Sequence, residues 1–270
     1  MLVLDGISKH FEGQGTEAIV ALDSLFMEFK TGSFVVIVGS NGSGKSTLLN
    51  LIAGSEQVET GRILLEGRDI TGQPEHLRAA QIGRVFQNPF RGTVPDMTVE
   101  ENLALAACRG KSFGLGFALT RELREEIHAR LVALGIGLED RMKQPMASLS
   151  GGQRQIITML MATWHQPQVL LLDEHTAALD PQSADLVLQI TGQIVRAGKL
   201  TVLMVTHSMQ QAVHFGDRLI MLHRGRLALD ISGSEKNRAQ PDELVHRFEE
   251  LRRAELLDET VGTLLMEQYV

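Results

Sequence analysis

Apolar positions along the 270-residue chain follow two rhythms. Phe34-Val-Val-Ile-Val38, Val169-Leu-Leu-Leu172 and Thr201-Val-Leu-Met-Val205 are short unbroken apolar runs. That pattern predicts parallel strands covered on both faces. Met1-Leu-Val-Leu4, Ala18–Phe29 and Arg62-Ile-Leu-Leu-Glu66 alternate or run apolar, so residues 2–87 read as strands around one strand–loop–helix unit. Gly13, Gly15 and Gly32 punctuate them, and Ser46 to Ala53 reads as a helix closed by Gly54. Residues 88–150 change to helical spacing. Thr98-Val-Glu-Glu101 is a capping-box pattern. Thr120 can cap a second helix with Leu123, Ile127, Leu131 and Leu134 on one face and Gly135 at its end. After Gln153, a helix carries Ile156, Ile157, Leu160, Met161 and Trp164, the last read as a core residue. Asp180-Pro181 opens a helix running to about Gly198, and Ser208 can cap another. Leu219–Leu222 and Arg226–Asp230 read as closing strands. From Pro241 a charged amphipathic helix carries Leu244, Val245, Phe248 and Leu251.

The length suits one large domain or a domain with an inserted lobe, and 43% hydrophobic residues are ample for a core. A net charge of −7 without a Lys/Arg-rich block argues against a nucleic-acid footprint. Arg109–Ala118 is a basic loop containing Gly and Phe, read as solvated surface or as a contact for anionic lipid or a membrane partner. The single cysteine, Cys108, excludes an internal disulfide, fits a reducing compartment and reads as a small packing residue. No apolar run approaches the ~20 residues that span a bilayer, and no signal peptide is expected.

Gly39-Ser-Asn-Gly-Ser-Gly-Lys45-Ser46-Thr47 matches G-x-x-x-x-G-K-[ST], and it sits between a strand and a helix as that motif requires. Its glycines let backbone amides converge on an anion, and the helix N-terminus adds partial positive charge. Lys45 would reach the β- and γ-phosphates of a nucleotide, and the Ser46 hydroxyl would bind Mg²⁺. Val169-Leu-Leu-Leu-Asp173-Glu174 ends a buried strand in two carboxylates, at the edge where open α/β sheets bind ligands. Leu149-Ser150-Gly151-Gly152-Gln153 follows the first motif by about a hundred residues.

With these motifs in this order, the chain resembles the ATPase subunits of ATP-binding cassette (ABC) transporters over roughly residues 2–232. The resemblance implies an α/β, RecA-like P-loop core with an N-terminal antiparallel β subdomain and a helical subdomain inserted at about 88–150. The ATPase domain would be 1–232, with 233–270 a C-terminal helical extension. Ser40, Asn41, Gly42, Ser43, Gly44, Lys45, Ser46 and Thr47 would cradle ATP. Asp173, Ser46 and Gln87 would serve Mg²⁺. Glu174 would polarise the attacking water, with His207 as the switch histidine and Gln87, in Val85-Phe86-Gln87, as the Q-loop glutamine. Asp180, in Ala178-Leu179-Asp180, resembles the D-loop residue at a dimer interface. Phe11 stands where the family stacks an aromatic on adenine, although a Phe there also suits core packing. Ser150, Gly151, Gly152 and Gln153 would present free amides and a hydroxyl to the ATP of a second copy, making an ATP-sandwich homodimer. The family commonly has Pro after the Walker B Glu; here it is His175, which puts loop rigidity in question.

The implied function is ATP hydrolysis at the cytoplasmic face of the inner membrane, by a peripheral subunit that powers separate integral membrane permease subunits. Import of a small solute such as an amino acid is favoured, with an extracytoplasmic solute-binding protein in the full system. Met97–Ala106 and Asp173–Pro181 look similar to cassettes partnering branched-chain amino-acid-type permeases. The permease would dock near Phe86–Asp96, where Phe90 and Val94 are apolar. Two alternatives stay open: a soluble ABC ATPase acting on ribosomes or DNA, and the motor of an exporter.

Overall fold

A computed structural model describes residues 1–12, 18–110, 119–250 and 253. The turn predicted at Gly13 and Gly15 and most of the basic loop ending at Ala118 lie outside these residues, as does Leu251. In chain order the elements are β1 (Leu2–Glu12), β2 (Ala18–Phe29), β3 (Phe34–Gly39), α1 (Lys45–Ala53), β4 (Thr60–Leu65), β5 (Arg68–Asp69), α2 (Glu75–Arg78) and β6 (Ile82–Val85). There follow α3 (Val99–Ala107), α4 (Arg121–Val132), α5 (Gly151–Thr163), β7 (Val169–Asp173), α6 (Pro181–Gly198), β8 (Thr201–Val205), α7 (Met209–His214), β9 (Arg218–His223), β10 (Arg226–Ser232) and α8 (Gly233–Arg238). Residues 241–250 are also helical.

The strands form two sheets. The first has the order β2-β1-β4-β5 and is antiparallel throughout. The second has the order β10-β9-β3-β8-β7-β6, parallel except for the antiparallel edge strand β10. Residues alternate between two cores across that sheet, as β-strand geometry demands. Val35, Ile37, Leu171, Leu203 and Ile220 pack with α1 and the antiparallel sheet. Val36, Val38, Leu170, Leu172 and Met204 pack on the opposite side with α6, α7 and Leu244. This two-sided burial is why these runs are apolar without alternation.

A third core joins α3, α4, α5 and part of α6, with Ile127, Leu131, Ile156, Ile157, Trp164 and Val187 buried in it. Thr98 forms the expected capping box with Glu101, and Thr120 caps α4 by accepting from Leu123 N. Two local differences from expectation stand out. The stretch before β6 includes the short helix α2, which periodicity over four residues cannot announce. On the helix over 241–250, Leu244 is buried and Phe248 packs inward, but Val245 is 41% exposed because it lies off that face. No helix among the described residues is long and apolar enough to cross a membrane.

Candidate active site

Parallel pairing brings the carboxyl ends of β3, β6, β7 and β8 to one edge. Asp173 is in register with Val205, and Val205 with Ile37. Leu172 is in register with Val85. The loops that leave these ends therefore gather Gly39–Ser46, Gln87, Glu174 and His207.

The loop between β3 and α1 is shaped by glycine. A Cβ on Gly39 would lie 2.3 Å from Leu222 O, and one on Gly44 would lie 2.4 Å from Ala21 O. Gly44 also has φ 99°, a left-handed conformation open chiefly to glycine. Unlike α3, α4, α5 and α6, α1 has no side-chain cap on its first amides, and its first turn has no acid. Those amides are left for an anion, and the helix dipole favours one there. Lys45 is buried, and its Nζ donates to Gly39 O at 2.8 Å and Ser40 O at 2.7 Å. Desolvation pulls the Lys45 pKa below its ordinary value, and the charges of Glu174 and Asp173 oppose that shift. Gly39, Ser40, Asn41, Gly42 and His207 line a cleft of about 640 Å³, whose far wall includes Phe248 of the helix over 241–250.

Glu174 is the meeting point of the residues expected to perform hydrolysis. Its Oε1 lies 2.5 Å from His207 Nε2, and its Oε2 accepts from Gln87 Nε2 at 3.3 Å. Its backbone adopts φ 47°. Asp173 is mostly buried and pairs through Oδ2 with Arg84 Nη2 at 3.3 Å. Arg84 also bonds Asn50 of α1 and stacks on Phe86 at 4.6 Å. It was missed in the sequence because an Arg in a four-residue strand reads as a solvated charge. The set fits a nucleotide with Mg²⁺: an uncapped helix N-terminus and a buried cation for phosphates, and hard oxygen donors on Ser46 and Asp173 for the metal.

Ser150–Gln153 stand apart from this cluster. A Cβ on Gly151 would meet Leu179 at 3.0 Å and one on Gly152 would meet Ser183 at 3.0 Å, so the segment packs on α6 and the loop before it. Ser150 Oγ accepts from Gln153 N, and Gln153 Oε1 accepts from Ser150 N, both at 3.2 Å. In this capping box Ser150 Oγ accepts, so its O–H is still able to donate to an anion beside the Gly151 and Gly152 amides. Asp180 caps α6 by accepting from Ser183 N at 3.0 Å, and the Ser183 hydrogen bonds hold its carboxyl below the usual range. Phe11 is 37% exposed, paired with Ile19 across the sheet and with Lys9 Nζ 5.2 Å from its ring. Ile19, 60% exposed beside it, adds apolar surface that sequence reasoning overlooked.

Residues 22–177 match the ABC transporter family model. The chain belongs to the ABC transporter ATPase family. A tyrosine transport ATP-binding protein of Clostridioides difficile is 42% identical over 92% of this chain and 99% of its own length. A methionine import ATP-binding protein of Rhizobium johnstonii is 39% identical over 79% of this chain and 56% of its own. Among solved structures, a dimeric ATP-binding cassette in a post-hydrolysis state with ADP and Pi superposes with a TM-score of 0.73. It is 28% identical, covering 86% of this chain and 98% of that one. This ABC ATPase binds and hydrolyses ATP and carries the P-loop NTPase fold with its antiparallel β sheet.

Proposed function

We propose that this ABC ATPase powers import of a small solute, an amino acid by preference, through separate integral membrane permease subunits. The single observation that carries this reading is the 42% identity to the tyrosine transport protein, over 92% of this chain and 99% of that one. Methionine and aliphatic sulfonate import proteins among the relatives support the same direction. The subunit sits on the cytoplasmic face of the membrane, and a solute-binding protein completes the system outside it.

In the proposed mechanism, the amides at the start of α1 and Lys45 would hold the phosphates, Ser46 and Asp173 would hold Mg²⁺, and Phe11 with Ile19 would receive adenine. The metal supplies charge neutralisation at the phosphoryl group. Glu174, fixed between His207 and Gln87, orients the attacking water. The open Gly151 and Gly152 amides meet the ATP of a second copy, so hydrolysis releases the pair. The permease docks beside Phe86–Asp96, where Phe90 is half exposed and Arg154 stacks on its ring at 3.8 Å. In the same reading, 1–232 is the ATPase domain and 233–270 a C-terminal extension.

Two measurements test this reading. Glu174→Gln should keep ATP affinity and lower phosphate release by about 10²-fold or more, the scale of a lost general base. The tagged subunit, extracted from membranes in mild detergent, should bring down an integral membrane protein whose transport of radiolabelled amino acid depends on ATP. Recovery with ribosomes or DNA instead would refute the transport reading.

A further inference from the structure

The turn that follows Glu174 is pinned by buried side chains on both sides. His175 is 2% exposed, and its Nε2 lies 3.3 Å from Thr191 Oγ1 on α6, itself 2% exposed. The Thr191 hydroxyl donates to Val187 O at 2.7 Å. Its oxygen is therefore the acceptor and His175 Nε2–H the donor. Burial lowers the His175 pKa to about 4, so the ring is neutral near pH 7. On the other side, Thr176 Oγ1 accepts from Gln211 Nε2 at 3.3 Å, and Gln211 Oε1 accepts from Thr206 Oγ1 at 2.7 Å. Thr206 immediately precedes His207, and its Oγ1 also accepts from Ser208 N at 3.1 Å. One glutamine thus bridges the turn carrying Glu174 to the loop carrying His207.

The bridge has something to hold. Glu174 and His207 leave neighbouring parallel strands, β7 and β8, on separate loops, yet their side chains meet at 2.5 Å. Glu174 also occupies a left-handed backbone conformation, φ 47°, that persists only where the surroundings over-determine it. A proline after Glu174 would restrict the turn through its ring. Here that restriction has moved to a hydrogen bond from an imidazole. None of His175, Thr176 and Gln211 lines the cleft at the P-loop.

We propose that His175, Thr176 and Gln211 are positioning residues for hydrolysis: they tie the Glu174 turn to α6 and to the His207 loop, and so set the Glu174–His207 pair. The proposal rests on the reading of Glu174 as the water-orienting group.

The test compares Gln211→Leu, His175→Ala, His175→Gln, Thr191→Val and Glu174→Gln in the full chain, by ATP affinity, steady-state phosphate release and thermal melting. Misplacement on the ångström scale costs up to ~10²-fold in rate. Gln211→Leu and His175→Ala should therefore lose roughly 10- to 100-fold in kcat, with ATP affinity held within about threefold. His175→Gln, whose amide can still donate to Thr191, should recover most of that loss. Gln211→Leu added to Glu174→Gln should lower the rate no further, as expected of residues acting as a unit. Wild-type kcat in Gln211→Leu, or parallel loss of kcat, affinity and melting temperature, would overturn the proposal. If His175→Ala does not fold, Thr191→Val and Gln211→Leu decide by the same criteria. Wild-type turnover in Glu174→Gln would instead remove the reading beneath it.

Discussion

Replacing Arg78 by Met should destabilise this ATPase by about 3 kcal/mol, although Arg78 touches no residue expected to bind nucleotide. Arg78 ends α2 and is 2% exposed. Its guanidinium donates to four carbonyls: Leu51 O at 2.6 Å, Ile52 O at 2.9 Å, Thr71 O at 2.8 Å and Gln73 O at 2.9 Å. Leu51 and Ile52 belong to the last turn of α1, which has no basic residue of its own. Their carbonyls are among those a helix cannot satisfy internally. A buried acceptor left without a partner costs about 1–3 kcal/mol. The Leu51 and Ile52 bonds are fully buried, whereas the Thr71 and Gln73 bonds are only partly so and those carbonyls can rehydrate. Two orphaned carbonyls give roughly 2–6 kcal/mol, and the desolvation of the guanidinium, no longer incurred, pulls the total toward the lower half. At about 2–4 °C per kcal/mol for a chain of this size, the melting temperature should fall by roughly 6–12 °C. The assay is thermal and urea unfolding of wild type, Arg78→Met and Arg62→Met. Arg62 pairs with Asp5 on the exposed antiparallel sheet, and its loss should be within error of wild type. ATP at a hundred times its Kd should stabilise wild type and Arg78→Met alike, by about 2.7 kcal/mol, because the first turn of α1 is untouched. An Arg78→Met loss below 1 kcal/mol, or an equal loss in Arg62→Met, would refute this reasoning.

Gly44→Ala should unfold or severely destabilise the loop, since its Cβ would collide with Ala21 O, whereas Gly42→Ala meets open space and should cost only about 1 kcal/mol of backbone strain, read by urea melts. Lys45→Ala and Ser150→Arg should each lack normal turnover alone, and an equimolar mixture should regain activity from one complete site per heterodimer; a mixture as dead as its parts would count against the two-copy site. Because His175 is held near 4 against an ordinary 6.5, the unfolded chain binds the extra proton as pH falls. His175 should therefore contribute a stability loss of about 3 kcal/mol between pH 6.5 and 4, present in wild type, absent from His175→Gln, and so visible in the difference between their stability–pH curves.

The nucleotide cradle, the carboxylate pair and the histidine were legible in the sequence because each is a special residue at the end of a strongly patterned strand. Gly39 and Gly44 have no alternative given their contacts, and Asp173-Glu174 interrupts an apolar run where the chain must leave the sheet. Capping was legible for the same reason: Thr98, Thr120, Asp180 and Ser208 act on amides three residues away, so local sequence suffices. What could not be read depends on partners distant in sequence. Arg78 finds carbonyls 26 and 27 residues away, Arg84 finds Asp173 across 89, and Gln211 finds Thr176 across 35. A charged or amide side chain in isolation reads as solvated, and only the packed structure assigns it a buried role. The spacing of Ser150 and Gln153 carries two meanings at once, a capping box as well as part of a family motif, and local sequence shows both.

The residues that break local rules of stability are concentrated at one sheet edge. α1 forgoes the side-chain cap that α3, α4, α5 and α6 have, a sacrifice of about 1 kcal/mol. Lys45 is buried against carbonyls rather than against a carboxylate, and Glu174 sits in a left-handed conformation. Each is unfavourable in the chain by itself, and in the proposed mechanism an anion and a metal at the same place would offset them: phosphate would fill the amides of α1 and neutralise the Lys45 charge beside the water that Glu174 would orient. The deficits are offset by rigid surroundings: the Arg78 anchor at the far end of α1, the two-sided packing of β3 and β7, and the hydrogen bonds behind Glu174. A sheet edge built this way would gain more from the nucleotide than one already capped and paired, because binding would satisfy its free amides and its buried cation. That difference between loaded and unloaded states is the free energy a transporter motor can transmit to its permease.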